Sequence, residues 1–80
     1  MTVALKREKK VVGAKQVKRA IEASKAKKVY VAKDAEEKVT ADIIKRCEEL
    51  QIPIVYVDTM AELGSACGID INAAVAALLI

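Results

Sequence analysis

Two short β-branched runs constrain this chain more than any other feature. Val29-Tyr30-Val31-Ala32 and Ile54-Val55-Tyr56-Val57 have the length and composition of strands. Pro53 suits the entry to the second, where no N–H is needed. Between the two runs, Val39, Ile43, Cys47 and Leu50 recur at helical spacing, joined by Ile44, which predicts a helix from about Lys38 to Leu50. Its outer side offers the pairs Asp42 with Arg46 and Lys45 with Glu49. Ile54 to Val57 is apolar on both faces and is expected between two layers. The same alternation continues to either side. Val11-Val12 is a very short candidate strand, and Val17, Ala20 and Ile21 predict a helix over about 14–25. Lys27-Lys28 then interrupts the apolar pattern. Thr59-Met60-Ala61-Glu62 has the capping-box form that opens a third helix, with Gly64 early in it and Gly68 at its end. Alternating strands and helices imply an α/β sandwich whose crossovers run right-handed.

Two segments read in more than one way. Ala73 to Ile80 favours helix by its alanines, yet its continuous apolar character also suits a central strand. Thr2 to Lys10 reads as a short basic helix or as a frayed arm.

With 80 residues, one domain spanning 1–80 is expected, burying about 60% of its unfolded surface. Apolar residues make up 54% of the chain and are spread along it, so a core is expected rather than disorder. The longest apolar run, Ala73 to Ile80, is far too short to span a membrane, and no targeting pattern is visible. A cytoplasmic monomer is the expectation.

Charge is distributed unevenly. Residues 1–28 carry ten Lys or Arg against two Glu, a surplus of eight positive charges; residues 29–80 carry four against nine acids, a deficit of five. A chain polarised in this way can present a basic face despite a net charge of only +3. Nucleic acid is the obvious anionic partner.

Catalysis is not expected. The chain has no His, the usual acid/base group near neutral pH. Glu36-Glu37 and Glu48-Glu49 read as solvated surface, Ser24 and Ser65 have no base beside them, and no phosphate loop of the nucleotide-hydrolase type exists. Cys47 and Cys67 fit no metal-ligand spacing, so no metal and no cofactor are expected. Cys47 lies on an apolar helix face and reads as a buried thiol; for Cys67 packed and exposed positions both stay open. Tyr30 and Tyr56, the only aromatics, read as core residues within strands, which argues against a stacking platform for single strands.

The unusual stretch is Gly13-Ala14-Lys15-Gln16-Val17-Lys18-Arg19-Ala20. Gly13 supplies the backbone freedom to leave a strand and enter a helix. The N-terminal end of a helix is already partly positive, and stability alone would place Asp or Glu there. Here Lys15, Lys18 and Arg19 occupy it, and the first carboxylate is Glu22. Such a helix suits an anion at its front, whereas the plainer reading is a solvated lysine-rich face. Ile69 and Ile71, flanking Asp70, either fold into the core or form an apolar pad against an unstacked base.

These residues together resemble the kink-turn-binding ribosomal protein superfamily, whose members include the archaeal large-subunit and small-ribonucleoprotein core protein and a short bacterial paralogue. Gly13 to Ala20 is similar to its RNA-contact motif, Val31-Ala32-Lys33-Asp34-Ala35 to its post-strand loop, Ile52 to Val57 to its next strand, and Leu63-Gly64-Ser65-Ala66-Cys67-Gly68 with Ile69-Asp70-Ile71-Asn72-Ala73-Ala74 to its signature loop. The resemblance implies a three-layer α-β-α sandwich with a four-stranded mixed sheet, in which Val75 to Ile80 is a strand. It implies a partner: structured RNA bent into a kink-turn, with ribosomal RNA favoured. It implies RNA contacts from Gly13, Ala14, Lys15, Gln16, Lys18, Arg19 and Lys33, and from the loop residues Ile69, Asp70, Ile71, Asn72 and Ala73. The archaeal branch begins its helix with Asn-Glu where this chain has Lys15-Gln16, as in the bacterial branch, and Arg19 stands where Lys is usual. A protein-interaction module of the same fold, without RNA, is the alternative.

Overall fold

The computed structural model describes residues 9–69 and 71–80. Among the described residues seven elements follow one another: β1 (Lys10–Val12), α1 (Ala14–Glu22), β2 (Ala26–Ala32), α2 (Glu37–Leu50), β3 (Ile54–Val57), α3 (Met60–Cys67) and β4 (Val75–Leu79). The strands form one sheet in the order β1-β4-β2-β3. β4 runs antiparallel to both neighbours, and β2 and β3 are parallel, so the sheet is mixed.

Strand alternation sends successive side chains to opposite faces. Val29 and Val31 join Val75 and Ala77 under α1 and α2, where they meet Val17, Ala20, Ile21, Ile43 and Cys47. Tyr30 and Ala32 point the other way, with Val57 and Ala76, and pack against Leu63 and Cys67 of α3. Two helices on one face and one on the other make the three layers. The two thiols therefore lie in different layers, both buried and both free. Burial raises the Cys47 thiol above its ordinary range, with Glu48 adding to the effect. Burial does the same to Cys67, partly offset by the Lys10 ammonium.

The ambiguous C-terminal segment is a strand. β4 sits between β1 and β2, so ladder hydrogen bonds are available on both its edges, and Val75, Ala76 and Ala77 are fully buried. That tertiary pairing outweighs the helix preference of alanine, which is worth only tenths of a kcal/mol, about 0.7 at most, per residue.

Several expectations are corrected. α1 ends at Glu22 rather than near residue 25. β2 begins at Ala26 and includes Lys27-Lys28, with an irregular register between Ala26 and Lys28. Tyr56 is 47% exposed, because β3 is an edge strand and α2 covers it only partly. Arg46 pairs with Glu49 at 3.3 Å, and Asp42 reaches across to Lys18 of α1 at 3.6 Å, in place of the two pairs expected along α2. The capping box is half realised: the Thr59 hydroxyl accepts from the Glu62 N–H at 3.0 Å. The helix-or-arm reading of Thr2 to Lys10 falls mostly outside the described residues; Lys10 itself opens β1. Among the described residues, no helix is long and apolar enough to cross a membrane.

Candidate nucleic-acid interface

One end of the sheet gathers the residues singled out in the sequence, and backbone hydrogen bonds do the gathering. The Gly13 N–H donates to the Val75 carbonyl at 3.0 Å, which ties the start of α1 to the start of β4. The Ala32 N–H donates to the Ala74 carbonyl at 2.9 Å, which brings the end of β2 and Lys33 to the same place. The Ala73 N–H donates to the Met60 carbonyl at 3.0 Å, and the Met60 N–H donates to Asp34 Oδ1 at 2.8 Å. The front of α1, the loop after β2, the front of α3 and the loop before β4 are thus stitched into one surface.

Gly13 is the N-cap of α1, with φ 101° and ψ 150°. Such angles belong almost only to glycine. A Cβ there would meet nothing within 4 Å, so backbone conformation and not crowding is what requires glycine. Lacking a side chain, Gly13 leaves the first N–H groups of α1 without a side-chain cap, and the first turn contains no carboxylate. Its carbonyl accepts from the Val17 N–H at 2.9 Å, so the helix is regular from its first turn.

At about 100° per residue, Lys15, Gln16 and Arg19 fall within one arc of roughly 100°. All three are exposed. Val17, Ala20 and Ile21 take the opposite side into the core. None of Lys15, Gln16 and Arg19 is engaged by a described carboxylate. Lys18 is different: it lies on the flank facing α2 and pairs with Asp42. Lys33 reaches Asp58 at 3.4 Å, with both side chains more than half exposed. An exposed pair of this kind is worth about 0–1 kcal/mol and is readily exchanged for another anion.

The loop before β4 separates its residues. Ile71 is 72% exposed, and Asn72 is also exposed. Ile69 is half-buried against the α3 layer. Ala73 is 3% exposed, so its side chain is core and only its backbone belongs to the loop. Gly13 and Ala14 are half-buried. Asp70 lies outside the described residues.

Three residues that hold this surface have no role assigned from the sequence. Asp34 ties the β2 loop to α3, and Asp58 holds Lys33. Gly64 is buried under the loop, and a Cβ there would fall on the Ile71 carbonyl oxygen. A Gly within an otherwise ordinary helix was the signal available for the last. The Asp34 contact spans 26 residues, a separation that local pattern cannot register.

Comparison with known proteins follows the same lines. The model of the ribosomal protein L7Ae/L30e/S12e/Gadd45 family matches residues 1–80. An RNA-binding protein of Caldanaerobacter subterraneus subsp. tengcongensis is 58% identical over 69 residues, covering 86% of this chain and 84% of the relative. The RNA-binding protein YbxF of Geobacillus stearothermophilus is 38% identical over 69 residues, with coverage of 86% and 84%. Among solved structures, the Giardia lamblia 15.5kD RNA binding protein superposes with a TM-score of 0.84 at 25% identity, over 90% of this chain and 61% of that protein. The relatives' names describe RNA binding and not a reaction, in keeping with a sequence that holds no acid/base set. The chain belongs to the ribosomal protein L7Ae/L30e/S12e/Gadd45 family.

Proposed function

We propose that this chain is an RNA-binding protein that recognises and stabilises a kink-turn, the sharp bend made by tandem sheared G·A pairs beside a bulge. The observation that carries the reading is the front of α1, with uncapped N–H groups and no carboxylate in its first turn. Lys15 and Gln16 stand exposed in that first turn, and Arg19 continues the same arc one turn further on, in the last turn of the helix. Family membership and the names of the relatives support RNA as the partner. Structured RNA of the ribosome is the favoured target.

Each part has a distinct task in this reading. The helix front and Lys15 meet phosphate, where oriented N–H groups and a positive charge act together. Arg19 presents a planar fork that matches guanine O6 and N7. Gln16 can donate to or accept from a base edge, since its amide carries both functions. Lys33 exchanges Asp58 for backbone phosphate. Ile71, with Asn72 beside it, packs on a nucleotide left unstacked by the bulge. The protein acts as a monomer and selects the kinked conformer from a flexible ensemble because it binds that state more tightly.

A gel-shift titration with kink-turn RNA and with the same RNA lacking the G·A pairs tests this. Preference for the intact motif is expected, and equal affinity would reduce the reading to unspecific basic binding. Arg19→Ala is expected to weaken binding by about 1–3 kcal/mol and to narrow the difference between the two RNAs.

A further inference from the structure

The ten basic residues among the first 28 do not all go to one place. Only Lys15, Lys18 and Arg19 ride on α1. The fold carries Lys9, Lys25, Lys27 and Lys28 to the opposite end of the sheet. β2 rises from Ala26 to Ala32, seven residues, which at about 3.3 Å each separates its two ends by about 20 Å. Lys33 lies past one end, and Lys27 and Lys28 lie at the other. β4 runs antiparallel, so its last residues arrive at the lysine end. There the Leu79 N–H donates to the Lys9 carbonyl at 2.9 Å, and the Ile80 N–H donates to the Lys25 carbonyl at 2.9 Å. Two consecutive residues therefore hold Lys9 and Lys25 as near neighbours.

Lys27 sits in a bulge. Ala26 pairs with Leu79 and Lys28 with Leu78, so one extra residue of β2 stands between two consecutive partners on β4. A bulge unpairs its extra residue and re-aims the side chain. Here it leaves Lys27 exposed. The strands and loops around these lysines carry no acid of their own. Residues 9–12, 23–33, 51–57 and 71–80 contain no Asp or Glu at all. The acids nearest this end lie on helices: Glu22 lines the α1–α2 groove with Lys18 and Arg46, and in the last turn of α2 Glu49 pairs with Arg46 at 3.3 Å, with Glu48 beside it. None of Lys9, Lys25, Lys27 and Lys28 pairs with a described carboxylate. Crowded like charges repel, and a polyanion relieves that repulsion.

We propose that Lys9, Lys25, Lys27 and Lys28 form a second phosphate-backbone site, which takes duplex RNA while the front of α1 is occupied by another RNA segment. Point charges without aromatic partners suit a backbone rather than splayed bases. Tyr30, the only aromatic on β2, is buried. The described part of the molecule measures 29 × 26 × 21 Å, so an RNA on each end would be held close, with the protein as the spacer between them. This goes beyond the kink-turn reading, and the second site stands without it.

The test uses a plain RNA duplex without a kink-turn as the probe, read by fluorescence anisotropy at low salt. The Lys25→Gln/Lys27→Gln/Lys28→Gln variant changes only strand-end lysines, and circular dichroism checks its fold. Its duplex affinity is expected to fall about tenfold, with a salt slope smaller by about three units. The Lys15→Gln/Arg19→Gln variant is expected to keep duplex binding. Energy transfer between donor-labelled kink-turn RNA and acceptor-labelled duplex on the wild-type protein is expected, and its loss in the triple variant. Unchanged duplex binding in the triple variant would overturn the proposal. So would equal losses for kink-turn and duplex RNA, which would make the two ends one surface. Preference for phosphatidylglycerol vesicles over duplex would overturn it in favour of a lipid surface. If the wild-type protein fails to discriminate the kink-turn, the first site is misread, but duplex binding lost in the triple variant and kept in the double variant still supports the second.

Discussion

Gly13 and Lys15 show how two neighbouring positions can be constrained by different demands. Gly13 serves the fold. Its backbone angles are costly for other residues, and its N–H ties α1 to β4. Gly13→Ala is expected to cost about 1–3 kcal/mol of stability, seen as a lower urea midpoint with the slope unchanged. Lys15 serves the partner. A cation in the first turn of a helix opposes the macrodipole, and a carboxylate there is worth about 0.3–1 kcal/mol more. Lys15→Glu is therefore expected to raise the unfolding midpoint slightly while weakening kink-turn RNA binding by about tenfold or more. Parallel losses in both measurements would show that Lys15 is structural.

α3 and the loop before β4 behave as one unit. The loop rests directly on the helix, because Gly64 leaves room for the Ile71 carbonyl. The Thr59 hydroxyl and the Asp34 carboxylate hold the front of the helix from two sides. The backbone beneath the exposed Ile71 and Asn72 is held in place in this way. Gly64→Ala forces the loop outward. Overpacking of this kind costs about 1–3 kcal/mol. Binding of kink-turn RNA is expected to fall further than the stability loss explains, measured at a temperature where the variant remains fully folded. A variant that loses stability but keeps its affinity would show that the loop takes no part in binding.

Among the described residues of the whole molecule, the sheet strands hold no carboxylate, and the acids sit on the helices and the loops between elements. That division keeps Lys9, Lys25, Lys27 and Lys28 at one end of the sheet, while at the other Lys15 and Lys33 stand among Asp34, Asp58 and Glu62, and the net charge is only +3. Two thiols are also sealed on opposite faces of the sheet. Both ionise at higher pH in the folded protein than in the unfolded chain, chiefly because burial disfavours the thiolate. The unfolded chain therefore releases these protons first as pH rises, and the native state loses stability relative to it. From the thiols alone, stability is expected to stay level below about pH 9 and to decline above it. Urea midpoints measured from about pH 7 to about pH 10.5 check this, with Cys47→Ala and Cys67→Ala in one chain flattening the decline.

Local pattern alone determined which segments are strands and helices where apolar spacing was regular: Val29 to Ala32, Ile43 with Cys47, Ile54 to Val57, and the Thr59 cap. It also singled out the cationic front of α1, because a charge out of place against a helix dipole is visible in one turn of sequence. Matters set by distant neighbours lay beyond it. Small alanine side chains left helix and strand equally open for Ala73 to Ile80 until two flanking strands supplied partners for β4. Tyr56 looked like Tyr30 until the sheet order put one on an edge and the other inside. The lysines of the first 28 residues read as one basic region; among the described ones, antiparallel pairing with β4 sets Lys9, Lys25, Lys27 and Lys28 at the opposite end of the sheet from Lys15. Spacing along a chain encodes only what is near in sequence, whereas edges, faces and opposite ends exist once remote segments are hydrogen-bonded together.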